Sequence, residues 1–106
     1  MTVGVSAGSP WLSAALPGRS DSGPALRTWF DVASKARWAS FAELKRDYGA
    51  KVDLAHGKYI FDIHGNRYRL ICAIDFVRHG VLVLWTGTHL DYDRLNQRGG
   101  KGMKEL

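Results

Sequence analysis

Apolar and polar residues alternate most regularly between Tyr59 and Asp93, in the stretch YIFDIHGNRYRLICAIDFVRHGVLVLWTGTHLDYD. Over Lys58 to His64, Tyr59, Phe61 and Ile63 fall on one face and Lys58, Asp62 and His64 on the other, the period of two that marks a strand. Gly65 and Asn66 tolerate positive φ and predict a two-residue hairpin loop. Stepping outward from that loop sets His64 opposite Arg67, Ile63 opposite Tyr68, Asp62 opposite Arg69 and Phe61 opposite Leu70. Tyr59, Phe61, Ile63, Tyr68, Leu70 and Cys72 then form an apolar face suited to covering by helices. Asp62, His64, Arg67 and Arg69 share the other face. The second strand runs from Arg67 to Phe76 and a third from Val81 to Gly87, where VLVLW predicts a central strand contacted on both sides. A three-residue loop of Arg78, His79 and Gly80, with Gly80 in the left-handed position, would pair Val77 with Val81 and set Arg69 opposite His89.

Upstream the period changes from two to three and four. Pro24 opens a helix in which Leu26, Trp29, Phe30, Ala33 and Arg37 form one stripe, read as core. Ser40 and Glu43 have the spacing of a capping box, so a second helix starts there, carries Phe41, Leu44 and Tyr48, and closes at Gly49. Ser9 can cap a shorter helix with Pro10 in its first turn and Pro17 as its stop. Ala50 to Gly57 reads as a loop. Residues 1–9 and 98–106 read as loose ends, with Val3 and Val5 the only hint of a strand near the start. These elements predict a single α+β domain over residues 1–106, with N-terminal helices packed on one face of a mainly antiparallel sheet.

Composition adds a bias in partners. The 106 residues carry a formal charge of +5, which favours nucleic acid or an acidic protein. Cys72, the single cysteine, sits on the apolar face and reads as a buried thiol. The four histidines lack the spacing of a ligand pair, so neither a metal site nor a cofactor is expected. There is no apolar run of membrane-spanning length and no signal-peptide pattern, so a cytoplasmic protein without a membrane partner is expected. The charged sheet face has two readings. It is a solvated surface on which Arg69 simply pairs with Asp62, or it is a working surface for an anion. His89 likewise either caps the turn that follows it or takes part in chemistry, and Tyr92 is either a rim aromatic or a member of the same site.

The blocks YIFDI before GN, YRLICAIDF after it, and GTH followed by YD resemble the HigB-type toxins of bacterial toxin–antitoxin modules, a RelE/ParE-like superfamily branch. The likeness extends back through RTWFDVASKARWASFAELKRDY to about Pro24. It implies a RelE-like fold and a metal-independent endoribonuclease, an mRNA interferase that cuts ribosome-bound mRNA and so inhibits translation. It also implies a cognate antitoxin, HigA-like and carrying a DNA-binding portion. Tested against that chemistry, Arg69 suits phosphate stabilisation, because its fork of donors matches phosphate oxygens. His89 suits proton transfer, since imidazole titrates near neutrality, with Tyr92 as a stacking or relay partner. Lys58 and Arg67 are candidates for holding the RNA backbone. Asp62 stands where the wider superfamily carries a basic residue, which leaves open a non-catalytic binder of a protein target such as DNA gyrase, or a remnant that only binds antitoxin.

Overall fold

The computed structural model describes residues 2–5, 23–63, 65 and 67–106. Its strands are β1 (Thr2–Val5), β2 (Val52–Ala55), β3 (Lys58–Ile63), β4 (Tyr68–Asp75) and β5 (Gly80–Thr88), and its α-helices are α1 (Gly23–Lys35), α2 (Phe41–Tyr48), α3 (His89–Leu95) and α4 (Gln97–Lys104). The strands form one sheet in the order β1-β5-β4-β3-β2. β2 to β5 are an antiparallel meander, and β1 lies parallel to β5 with Thr2 opposite Gly80. The architecture is therefore α+β with a mainly antiparallel sheet, as the helix stripes and successive hairpins predict.

The expected β3–β4 register is present: Ile63 faces Tyr68, Asp62 faces Arg69 and Phe61 faces Leu70. Gly65 has φ +65°, the conformation its missing Cβ permits. His64 and Asn66 lie outside the described residues, as does the short helix expected from Ser9. The helices α1 and α2 cover the face carrying Phe61 and Leu70. Leu26, Trp29, Ala33, Trp38 and Leu44 bury themselves there against Val52, Phe61, Ile63, Leu70, Cys72, Val81 and Val83. Trp29 and Tyr48 both meet Phe61 edge-to-face, with ring centroids 5.3 and 5.1 Å away, an arrangement favoured by the ring quadrupoles. Phe30 departs from the predicted stripe and is 47% exposed, because one residue beyond Trp29 is already about 100° around the helix. Trp38 takes its place in the core and donates from Nε1 to Asp47 Oδ2 at 2.7 Å. Ser40 caps α2 as expected, its hydroxyl accepting from the Glu43 amide at 3.3 Å, and Gly49 ends the helix with φ +58°.

Four expectations are corrected. The segment read as a loop before Lys58 contains a 3-10 turn, Gly49–Lys51, and strand β2, joined to β3 by His56 and Gly57, both at positive φ. The β4–β5 loop holds four residues rather than three: Asp75 pairs with Gly80, and the Asp75 carboxylate accepts from the amides of Val77 at 3.0 Å and Arg78 at 3.1 Å. His79, not Gly80, takes the left-handed conformation. Residues 2–5, expected to be loose, form an edge strand. The tail expected to be loose from residue 98 contains α4, whose Met103 is fully buried with Ile60 and Ile71 on the sheet face opposite α1 and α2. Arg98, Gly99 and Gly100 turn left-handed at a kink within α4, and Gly100 packs against the His56 ring with no space for a side chain. Apolar contact through Met103, Tyr92 and Leu95 thus orders a glycine-rich stretch of poor helix propensity.

Candidate functional site

Among the described residues, α3 and α4 cover the sheet face opposite α1 and α2 in part, and the candidate residues gather at its β3–β4 turn end. Alternation places Asp62 and Arg69 there as a cross-strand pair. Arg69 Nε lies 3.2 Å from Asp62 Oδ1, and Nη1 donates to the Tyr68 carbonyl at 3.3 Å. This pair differs from the exposed one that the sequence suggests. Arg69 is only 8% exposed and is the single buried charged residue among those described. What covers it is Tyr92 of α3, whose ring centroid lies 5.8 Å from the guanidinium carbon, within the range of a cation–π contact.

The placement of Tyr92 follows from how α3 begins. Thr88, the last residue of β5, caps the helix by accepting from the Asp91 amide at 3.1 Å, and the His89 amide donates to the Arg67 carbonyl at 2.9 Å. Thr88, not His89, is therefore the capping residue. The helix leaves directly from the sheet, and residues 89, 92 and 93, one turn apart, share a side. His89 Nε2 lies 3.5 Å from Asp93 Oδ2, and its enclosed Nδ1 has no hydrogen-bond partner among the described residues. Burial pushes the Tyr92 phenol above its ordinary pKa; Arg69 opposes the shift, and Asp53, Asp93 and Asp62 add to it. Tyr92 consequently keeps its proton across the physiological range, so its hydroxyl is available to donate a hydrogen bond.

Arg67, Arg69, His89 and Tyr92 are thus brought to one end of the sheet. Lys58 is not. It lies at the other end of β3, paired with Ala55 and four residues from Asp62, which is about 13 Å along a strand. The expected pairing of Arg69 with His89 is also replaced: Arg69 faces Gly87, and Tyr68 faces Thr88. Sequence reasoning missed Asp53, which β2 brings to the same face as Ile60, because β2 itself was not expected. Among the described residues no group of three or more His, Cys, Asp or Glu side chains could hold a metal ion, and no helix is long and apolar enough to cross a membrane. Cys72 is fully buried on the opposite face, where burial raises its pKa and suppresses the thiolate.

A mainly antiparallel sheet with helices packed against it is an architecture compatible with a RelE-like domain. The family model of the HigB toxin, described as the RelE-like toxic component of a toxin-antitoxin system, matches residues 22–95, and the chain belongs to that family. Membership implies an antitoxin as partner. No curated protein matches the chain significantly.

Proposed function

We propose that the protein is an mRNA interferase, a metal-independent endoribonuclease that cuts ribosome-bound mRNA in the cytoplasm and is neutralised by a HigA-like, DNA-binding antitoxin. The observation that carries this reading is the convergence of Arg69, His89 and Tyr92 within a chain of the HigB family. In the proposed reaction the substrate's 2′-hydroxyl attacks the adjacent phosphorus, the P–O5′ bond breaks, and the 5′-oxygen leaves as a hydroxyl with a proton taken from water, giving a 2′,3′-cyclic phosphate. His89 takes the proton of the attacking hydroxyl, and the Arg69 guanidinium stabilises charge on the phosphoryl oxygens. Tyr92, which holds its proton, donates a hydrogen bond to the reacting group. Arg67, exposed beside His89, engages the RNA backbone, and Lys58, about 13 Å along β3, meets a phosphate further along the chain.

Asp62 has a place in this scheme. Its carboxylate neutralises the guanidinium and fixes its position before substrate arrives, so an incoming phosphate exchanges with Asp62 for the same donors. The test is cleavage of a defined mRNA in a reconstituted translation system by purified protein, with primer extension to locate the cuts. Discrete cuts that disappear when antitoxin is added support the proposal. Intact mRNA at toxin concentrations equal to the ribosomes refutes it, and inhibition of DNA gyrase supercoiling in a parallel assay would replace it with a protein-binding role.

A further inference from the structure

Along β5, Val81 and Val83 pack in the core beneath α1 and α2, and simple alternation would send Trp85 to the same side. It does not go there. The β4–β5 ladder shifts between Ile71 and Cys72: Cys72 faces Val83, but Ile71 faces Trp85, leaving Leu84 as the extra residue of a bulge. Trp85 is thereby turned to the opposite face, where it packs beside Ile60, Ile71 and Met103. Bulges recur next to functional sites because they re-aim a side chain without ending the strand.

The next residue on that side is Gly87, which pairs with Arg69. A Cβ built on Gly87 would lie 2.6 Å from the Trp85 ring carbon Cζ2 and 2.7 Å from Cη2. The indole therefore occupies the space that a side chain at 87 would fill, directly across from the root of Arg69. Cross-strand neighbours of this kind stand about 5 Å apart. Trp85, half-buried, therefore stands on the same sheet face as Arg69, next to its cross-strand partner Gly87, while the Tyr92 ring from α3 lies 5.8 Å from the guanidinium carbon. Packing alone would be satisfied by an aliphatic residue at 85; a large, partly open aromatic plane beside a phosphate-binding arginine suits a nucleobase.

We infer that Trp85 is a substrate-binding residue, an aromatic platform on which the base of the nucleotide whose phosphate meets Arg69 stacks. This rests on the ribonuclease reading. It adds a source of base preference, because purines offer the larger stacking surface while no edge-reading hydrogen bond is required.

The test compares parent, Trp85→Phe and Trp85→Leu proteins in the reconstituted translation system, using mRNAs that vary in one nucleotide at the cut site, including an abasic one. Trp85→Leu should raise the apparent KM about tenfold, the effect of losing about 1.4 kcal/mol of stacking, with kcat near that of the parent. It should also level the difference between purine, pyrimidine and abasic substrates. Trp85→Phe, which retains a ring and most of the packing, should recover most of the affinity and part of the purine preference, so a folding defect in the leucine variant leaves the idea testable. If the parent cleaves and both variants keep its KM and base preference, Trp85 is a packing residue and the ribonuclease reading stands. If the parent cleaves nothing, both fall.

Discussion

Removing Arg69 separates its structural role from its chemical one. The sequence suggests an exposed pair contributing at most about 1 kcal/mol, but the side chains of Arg69 and Asp62 are 10% and 29% exposed. At 3.2 Å and an effective dielectric of about 20, the gross attraction is about 5 kcal/mol. Desolvation of both ions consumes most of that. The cost of Arg69→Ala is set by what remains: a largely buried carboxylate without its partner, about 1 to 3 kcal/mol, and the lost contact with Tyr92, about 0.5 to 1 kcal/mol. A total of about 1.5 to 4 kcal/mol lowers the Tm of a domain this size, at about 4.5 °C per kcal/mol, by about 7 to 18 °C. Asp62→Asn should cost about 1 to 2 kcal/mol and tighten RNA binding, since the carboxylate no longer competes with phosphate. The double variant should be more stable than the sum of the two losses by at least about 1 kcal/mol. Urea melts of all four proteins give the cycle, and cleavage is measured where each is folded. Additive losses, within about 0.3 kcal/mol, would refute the coupling. Cleavage by folded Arg69→Ala at the parent rate would remove Arg69 from the site.

Three further outcomes are expected. His89→Gln should lower cleavage about a hundredfold while shifting the melt little, because the His89–Asp93 pair is exposed; an unchanged rate removes His89 from the mechanism. The Tyr48 phenol is pushed up to about 12 by burial first and the Asp47 charge second. Its folded pKa is raised above the unfolded value of about 10, so its contribution is intact below pH 10 and is lost as pH rises towards 12. Urea melts from pH 8 to 11.5 should show a steep alkaline loss that Tyr48→Phe makes shallower; identical slopes refute this. Gly100→Ala places a methyl into the His56 ring at φ +81° and should speed amide exchange through α4 with little change in β3 and β4, whereas unchanged exchange would show that this contact does not hold α4 down.

What the sequence made legible was local. The β3–β4 register follows from a two-residue turn and an alternating pattern, and α2 from Ser40, Glu43 and Gly49, all acting within a few residues. The four-residue loop after Asp75 was hidden because one carboxylate oxygen decides it by accepting two amides, and Gly80 drew attention to the wrong residue. β2 shows almost no alternation, since only Val52 of its four residues is buried. In the candidate site, the cross-strand position of Arg69 could be read from the turn, but its burial could not: it depends on Tyr92 returning over the sheet, which requires the helix that Thr88 starts. Trp85 was hidden for a similar reason, as the bulge that re-aims it has no glycine or proline to announce it. The glycines of α4 argue against a helix, and only tertiary burial of Met103 overrides them.

The parallel pairing of β1 with β5 sets an order of assembly. Every other strand pair joins neighbours through a short turn, so the meander from β2 to β5 can zip from local contacts, which form fast. β1 must instead find a partner 78 positions away, from Thr2 to Gly80, and closing so long a loop carries the largest entropic cost in the sheet. Among the described strands, β1 is therefore expected to dock last. Until it does, β5 presents a bare edge of unpaired amides and carbonyls beside the exposed Leu82, the kind of edge through which chains pair with one another. Refolding watched by pulsed hydrogen exchange should show amides of β3 and β4 protected first and those linking β1 to β5 in a later phase.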